Sequence, residues 1–256
     1  MNACCKFAAR PGNKLITLFH ELFAEGPIWK SEFWLSRVQI HLASKLHRFS
    51  HGSVTSTLRY ASKLLQWDDG KSVSVLPVFS NIGEPRMLLP LAWRKRRAVV
   101  FGRRESRNQV YAGNLQRIAE LCRCLRIDEI HDIGPRLGMN RSHIGHARLH
   151  ELGELPAAQV SEILRHSVAG IFDYATDLWS KSGIFAAYCS HGVIPVCMRP
   201  PGNDGGITPE MYWLAGDGRI DNDNDRRAAK IAEEATRWYR THTRQVCAER
   251  VAGLLA

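Results

Sequence analysis

Short apolar runs rich in β-branched residues alternate along this chain with segments whose apolar residues recur every three or four positions. The first pattern predicts buried strands and the second predicts helices with one apolar face. Strand and helix alternate in this way through most of the chain. That order predicts an α/β fold in which helices cover parallel sheets.

The first part of the chain, residues 1–72, shows two strand patterns and two helix patterns. "KLITLFHE" predicts a buried strand that ends in His20-Glu21, and "GSVTST" predicts a second, shorter strand. "LRYASKLLQW" predicts one helix. The other is predicted from the apolar positions Trp34, Leu35, Val38, Leu42, Leu46 and Phe49. Two strands are too few for an independent doubly wound domain, so this part is predicted to be an incomplete N-terminal α/β domain.

Residues 73–224 show about five strand patterns, in "RAVVFGR", "EIHDIGP", "ARLHELGEL", "VAGIFDY" and "GVIPVCM". This number predicts a C-terminal domain with one Rossmann-type parallel sheet. The Pro- and Gly-containing stretch "VSVLPVFSNIGEP" is predicted to be a linker at its start. Residues 225–256 are predicted to be a C-terminal helix.

Charge and cysteine content narrow the classes of partner and compartment. The 256-residue chain has a formal net charge of +10, with one basic cluster at Arg94-Lys95-Arg96-Arg97. Such a balance favours anionic partners, although a solvated surface explains the cluster equally well. The seven cysteines are scattered without zinc-like spacing, which predicts reduced thiols in a cytoplasmic protein and no metal site. No apolar run approaches the length that spans a bilayer.

Two loops at the ends of predicted strands are candidates for binding phosphate. In "FGRRESR", Gly102 would let a ligand approach the backbone, and Arg103 or Arg107 could fork onto a phosphate. A surface loop with arginines is the alternative, and the GxxxxGK[ST] motif of a P-loop is absent.

The second loop is Lys181-Ser182-Gly183, just before the apolar segment "IFAAYCS". At the start of a helix these residues would offer free backbone N–H groups, a hydroxyl and a cation to a phosphate. The alternative is a helix-capping serine beside a solvated lysine. Gly192 and the strand pattern "VIPV" follow, which favours the ligand-binding interpretation.

Two further loops carry weaker signals. His20 or Glu21, at a strand tip, could act as a base or position a hydroxyl, although a lone histidine is more often structural. "RPPGNDGGITP" has the Gly and Pro density of a loop and could be a simple connector.

Three stretches resemble glycosyltransferases of the GT-B type, nearest the large retaining family 4 group. "FHELFAEGPIWKSEFW" is similar to the His-Glu strand tip and Gly-Pro-aromatic loop of bacterial members. "KSGIFAAYCSHGVIPV" resembles their donor-site helix, and "LGELPAAQVSEIL" resembles the strand, loop and helix before it. The resemblance implies an acceptor domain and a donor domain, with nucleotide-sugar binding at Gly102, Arg103, Lys181, Ser182 and Gly183.

The same resemblance places His20 on the acceptor side, near the sugar being transferred. Two departures from the family pattern change the expectation. Trp179 and Ala187 stand where members commonly carry two glutamates, so acidic contacts would have to come from Asp173 or Asp177. Only nineteen residues precede His20, so the N-terminal domain is expected to be truncated or completed by a second polypeptide.

The leading hypothesis is therefore an enzyme that moves a sugar from a nucleotide sugar to a hydroxyl acceptor in bacterial polysaccharide or glycolipid synthesis. It would act without an obligatory metal or cofactor. The acceptor would be a saccharide or lipid-linked, and basic runs would hold the cytoplasmic protein against the anionic inner face of the membrane. One alternative is a non-catalytic glycosyltransferase-like scaffold. Another is nucleic-acid binding, which charge suggests but no recognition motif supports.

Overall fold

The computed structural model describes residues 6–7, 10–24, 31–199, 206–216 and 223–255. The chain forms two compact units. The first comprises Met1–Val78 together with Gln245–Ala256, and the second comprises Phe79–Arg244. The boundary thus lies six residues beyond the predicted one at 72/73. The C-terminal segment, predicted as one helix over 225–256, is divided between the two units.

The first unit contains a three-stranded parallel sheet in the order β1-β2-β3. Its strands are β1 (Ile16–Phe19), β2 (Gly52–Thr55) and β3 (Val73–Val75), and its helices are α1 (Ser31–Phe49), α2 (Leu58–Trp67) and α8 (Arg244–Leu255). The predicted strands and helices of this part are confirmed. The stretch predicted as a linker begins with β3. This strand has only three residues, Val-Ser-Val, which is too short for a hydrophobic pattern to identify it.

The apolar face predicted for α1 is exposed to solvent. Trp34 is 64% exposed and Val38 57% exposed, whereas Ala43 and His47 are buried. His47 bonds through Nδ1 to Ser53 Oγ on β2 at 2.8 Å, so α1 packs on the sheet through its Ala43–His47 side. The apolar stripe therefore points away from the sheet of its own unit.

The second unit contains a seven-stranded sheet in the order β10-β9-β8-β4-β5-β7-β6, parallel except for the β6–β7 hairpin. The strands are β4 (Lys95–Phe101), β5 (Glu129–Ile133), β6 (His143–Ile144), β7 (Ala147–Gly153), β8 (Ser167–Phe172), β9 (Ile194–Cys197) and β10 (Trp213–Leu214). The helices are α3 (Arg104–Tyr111), α4 (Leu115–Cys124), α5 (Ala157–Arg165), α6 (Gly183–Ser190) and α7 (Asn224–Arg240). The five predicted strands and their Rossmann-type arrangement are confirmed.

Two cores sandwich this sheet. On one face, Ala98, Val100 and Ile130 pack with Ile118 and Leu121 of α4. On the other face, an aromatic cluster joins the end of β8 to α6, with the Phe172 ring centroid 5.0 Å from that of Trp179 and 5.6 Å from that of Phe185. Burial of these large rings contributes to the hydrophobic stabilisation on that side.

The basic cluster Arg94–Arg97 is not a solvated patch. Arg94 is 6% exposed and Arg97 8% exposed, and Arg97 donates to Glu129 Oε2 at 2.9 Å. Arg96 pairs with Asp225 at 3.8 Å. Two of the four side chains are therefore internal, whereas Lys95 is exposed and Arg96 partly exposed. Contact of this cluster with a membrane stays a prediction.

The described residues show free cysteines, and neither a cluster of metal ligands nor a membrane-spanning helix is found among them. The described cysteines Cys122, Cys124, Cys189, Cys197 and Cys247 are free and buried. Among described residues, no three His, Cys, Asp or Glu side chains converge as metal ligands. Within the same ranges, no helix has both the length and the apolar character needed to cross a bilayer.

The end of α6 generates a testable pH dependence. His191 is fully buried, with Nδ1 2.8 Å from Ala187 O and Nε2 2.7 Å from Ser161 Oγ, and burial lowers its pKa to about 4. An unfolded histidine has a pKa near 6.5, so below that pH the unfolded chain binds a proton that the folded chain does not. We expect the free energy of unfolding to fall by about 2 kcal/mol from this group between pH 7 and pH 5. Urea unfolding at the two pH values measures it.

The control is His191→Gln, which cannot take up the proton. Its free energy of unfolding should change less between pH 7 and pH 5 than that of the natural chain. An equal pH dependence in both would contradict the assignment of this loss to His191.

Candidate functional site

The second unit has a crevice where its strand order reverses direction. β4 lies beside β8, while the next strand along the chain, β5, lies on the other side of β4. Ligands in such sheets bind outside the carboxyl ends of the strands at this point. The β4–β8 register runs only to Val99 and Gly170, and the ends of both strands line a narrow crevice of about 10 Å³. The crevice is about large enough for one water. Because it lies at the strand ends, we regard it as the floor of a candidate site.

Tyr188 of α6 holds this floor together. Its hydroxyl lies 3.0 Å from Val99 O and 3.1 Å from Ile171 O, so its single proton is shared between the two strands where their ladder stops. Burial raises the pKa of Tyr188, which keeps the hydroxyl protonated as a donor. The ring lies against Gly170, where an added Cβ would come 2.3 Å from a ring carbon. Glycine at 170 is therefore required for this packing.

Gly102 begins the loop on the β4 side of the crevice. Its backbone has φ +127°, and an added Cβ would lie 2.8 Å from Ile184 Cδ1 in the first turn of α6. The Gly102 amide donates to Ile133 O at 3.2 Å. The space that glycine leaves at position 102 is thus taken by Ile184, and approach of a ligand to the Gly102 backbone stays a prediction. Arg103, which is exposed, follows as the N-cap of α3.

Arg107, the other arginine predicted for phosphate, is fully buried beneath this loop. Its guanidinium pairs with Asp132 on β5 and donates to Pro135 O and to Gly102 O, the last at 3.1 Å. The Tyr111 hydroxyl donates to Asp132 Oδ2 at 2.9 Å. Burial raises the pKa of Asp132, and the neighbouring Arg107 charge opposes that rise. Arg107 thus supports the Gly102 loop from inside and also borders the crevice, with its guanidinium bonded to Asp132 and to backbone carbonyls.

The first turn of α6 forms the opposite side of the crevice. Ser182 is its N-cap, and its Oγ accepts from Phe185 N at 3.2 Å, as the capping alternative predicted. The helix geometry leaves the amides of Gly183 and Ile184 without an intrahelical acceptor, and Ser182 and Ile184 both line the crevice. Lys181, only 8% exposed, ends the turn before the helix. The start of α6 therefore brings backbone donors to the crevice, and Lys181 directly precedes the capping serine.

Asp173 and Arg199 bring a further loop to this place. Asp173 follows β8, lines the crevice, and pairs with Arg199 Nε at 2.5 Å. Arg199 begins the predicted loop "RPPGNDGGITP", whose residues 200–205 lie outside the described ranges. Asp173 is 7% exposed, so its carboxylate is an inward-facing acid beside the crevice.

The positions of the two expected glutamates are hydrophobic core. Trp179 is 1% exposed within the aromatic cluster, and Ala187 is fully buried in α6. Asp177 lies in the 3₁₀ turn Thr176–Lys181 and is partly buried. Asp173 is therefore the described acid that borders the crevice itself.

The acceptor-side candidates lie in the first unit. His20 directly follows β1 and is exposed. Glu21 accepts from the Tyr60 hydroxyl at 2.6 Å, which fixes the carboxylate toward α2. The Gly-Pro-aromatic loop after them, residues 25–30, lies outside the described ranges.

Sequence reasoning missed three residues of the site. Asn81 lies beside α6, with its amide 3.5 Å from where a Gly183 Cβ would stand, and the predicted linker concealed it. Tyr188 was detectable as a buried tyrosine in an apolar helix, which needs a hydrogen-bond acceptor. Gly134 (φ +142°) lets its backbone approach Gly102 O, where an added Cβ would come within 2.4 Å.

Comparisons with known proteins identify the fold to which this site belongs. No family model matches the chain, and no curated protein matches it. Solved structures do. TarM shares 12% identity at a TM-score of 0.58 over 96% of this chain and 51% of its own. An α,α-trehalose 6-phosphate synthase from Burkholderia multivorans shares 12% sequence identity with this chain at a TM-score of 0.59. The match covers 95% of this chain and 66% of the synthase.

An α-glucosyltransferase in complex with UDP and DNA shares 10% identity at a TM-score of 0.56, over 99% of this chain and 75% of its own. This is the GT-B glycosyltransferase fold. The chain spans about half the length of TarM. In this GT-B fold the crevice lies at the carboxyl end of the sheet in the second unit. Membership of family 4 in particular stays a prediction.

The buried ion pair beneath the site can be tested by substitution. Asp132→Asn would leave the Arg107 charge buried without its partner, and we expect a loss of about 3–5 kcal/mol in the free energy of unfolding. Glu129→Gln is the matched control on the same strand. The Glu129 side chain is 41% exposed, so water can take its place beside Arg97, and the loss should be smaller than for Asp132→Asn. Equal losses in urea unfolding would contradict a structural role for the buried pair.

Proposed function

We propose that this chain is a glycosyltransferase that binds the diphosphate of a nucleotide sugar at the start of α6 and transfers the sugar to a hydroxyl acceptor. The observation that carries the proposal is the start of α6 at the switch point of the sheet, where Ser182 and Ile184 line the crevice beside the end of β4. The proposal adds Gly102, which directly follows β4, and Lys181, which directly precedes Ser182. An anionic group at a helix N-terminus is stabilised by both the amides and the helix dipole.

In this proposal the positive groups act on the leaving diphosphate. Backbone N–H groups of Gly183 and Ile184, with Lys181 and Arg103, stabilise the negative charge that grows as the sugar–phosphate bond breaks. Asn81 adds an amide at the same turn. Asp173 is placed to accept hydrogen bonds from sugar or ribose hydroxyls. His20 positions the acceptor hydroxyl or takes up its proton, with Glu21 beside it.

The wider setting is also a proposal. The acceptor is a saccharide or a lipid-linked saccharide, as in bacterial polysaccharide or glycolipid synthesis, and the enzyme is cytoplasmic or peripheral on the inner face of the membrane. The reaction uses no cofactor or obligatory metal, because the charge is balanced by backbone amides and side chains. Structural neighbours named as glycosyltransferases, one in complex with UDP and GlcNAc, support transfer from nucleotide sugars.

A non-catalytic scaffold is the second candidate. The observation that favours it is the burial of Trp179 and Ala187 in the core, which leaves the expected acidic pair absent from those positions. A scaffold keeps the fold but turns over no donor. Release of nucleoside diphosphate from UDP-, GDP- and ADP-sugars in the presence of acceptor distinguishes the two.

Donor binding is tested by thermal shift with the same panel of nucleotide sugars. A true donor at a hundred times its Kd should stabilise the chain by about 2.7 kcal/mol. Lys181→Ala and Arg103→Ala should each reduce that ligand-induced shift. Arg123→Ala, an exposed arginine at the far end of α4, should leave it unchanged. No shift with any donor, or an equal shift in all variants, would contradict the donor site.

The acceptor-side assignment has its own test. We expect His20→Ala to lower kcat by about 100-fold or more, the usual contribution of a general base. The donor-induced thermal shift should be unchanged, because His20 is assigned no donor contact. Unaltered turnover in this variant would remove His20 from the mechanism, and His41→Ala, an exposed histidine on α1, is the matched control.

A further inference from the structure

A second concave site lies at the amino ends of the strands in the second unit, away from the crevice. It is a groove of about 280 Å³ between α7 and the segment that leads into β4. Leu88, Leu89 and Leu91 form one wall, and Ala229 and Ala232 of α7 form the other. Its volume is close to that of small-ligand pockets, and most of its walls are apolar.

A buried charged group at this groove is Arg94, which is more than nine-tenths buried. Its Nε and Nη2 donate to Leu89 O at 2.9 and 2.8 Å, and its Nη1 donates to Ser167 O at 3.2 Å. A guanidinium has five N–H groups, so these three bonds leave two N–H groups over. Within the described ranges, no carboxylate pairs with Arg94. Burial lowers its pKa to about 10, which still leaves it charged at neutral pH.

A buried charge is ordinarily paired, because desolvation without a partner is costly. The groove lining has three arginines, Arg94, Arg237 and Arg240, against one carboxylate, Glu233, a net charge of 3 − 1 = +2. Glu233 pairs with Arg237 at 3.1 Å, and Arg237 also bonds Glu234. The lining acid is thus already neutralised by α7 itself, and the excess positive charge lies at Arg94 and Arg240.

Gly192 packs closely against the groove lining. It has φ +60°, and an added Cβ would stand 3.1 Å from Arg94 Nη2 and 3.1 Å from Leu88 Cδ1. A side chain here would press on both the guanidinium and the apolar wall. Glycine at position 192 therefore lets the charged group and the leucine wall lie next to each other in the groove lining.

We propose that this groove binds a small amphipathic anion, a phosphate or carboxylate carrying a short hydrocarbon chain. The anionic group accepts hydrogen bonds from Arg94, with Arg240 at the rim, and the chain lies between the leucines and the alanines of α7. The site differs from the proposed donor site in place and in chemistry, because the donor crevice lies at the carboxyl ends of the strands. It therefore stands or falls independently of glycosyl transfer.

The test is titration calorimetry of the full chain with octyl phosphate as the probe. Octanol, which lacks the charge, and inorganic phosphate, which lacks the chain, should each bind at least tenfold more weakly. Ala229→Glu places a negative charge at an exposed helical position on the groove wall and should weaken octyl phosphate at least tenfold. Ala229→Lys should keep or strengthen binding.

Arg226→Ala is the matched control, because it makes the same change of −1 in net charge on the same helix, at an exposed position outside the groove lining. Its affinity for octyl phosphate should equal that of the natural chain. Equal weakening by Arg226→Ala and Ala229→Glu would reduce the effect to net charge and overturn the site. Equal affinity for inorganic phosphate and octyl phosphate would overturn it as well. So would binding to phosphatidylglycerol vesicles that Ala229→Glu weakens, if octyl phosphate itself does not bind.

Discussion

The buried ion pair between Arg107 and Asp132 fixes the backbone on which the candidate site is built. Arg107 reaches from α3 to β5 and at the same time bonds the carbonyl of Gly102. The loop after β4 is thereby tied to the loop after β5, and Gly134 permits the two backbones to touch. On the other side, Tyr188 joins β4 to β8 where their ladder ends. Together these contacts hold the strand tips and the start of α6 in a fixed relation.

Much of the second unit could be predicted from the sequence, because each strand is a short apolar run and each helix has a clear apolar period. Gly102 and Lys181–Gly183 could be placed at strand ends for the same reason. The role of Arg107 could not, since a loop arginine and a buried arginine look alike until a carboxylate on another strand is known to face it. Asp132 lies twenty-five residues away, and only the sheet register brings it there.

The first unit shows the opposite difficulty. The period of α1 correctly predicts a helix, but most of its apolar stripe is exposed, and His47 makes the hydrogen bond to the sheet. Apolar periodicity indicates which face prefers burial, whereas the partner surface decides which face is buried. β3 escaped prediction because three residues are shorter than the pattern that identifies a strand.

Net charge was a poor guide to the surface, since Arg94, Arg97 and Arg107 lie inside the fold. Arg97 and Arg107 are paired with carboxylates, and the hydrogen bonds of Arg94 within the described residues go to the backbone carbonyls of Leu89 and Ser167.

The central claim concerns the backbone amides at the start of α6. Amide NMR during titration with UDP tests it most directly. The account predicts the largest shifts at Gly102, Gly183 and Ile184, and unchanged signals there with large shifts elsewhere would contradict it.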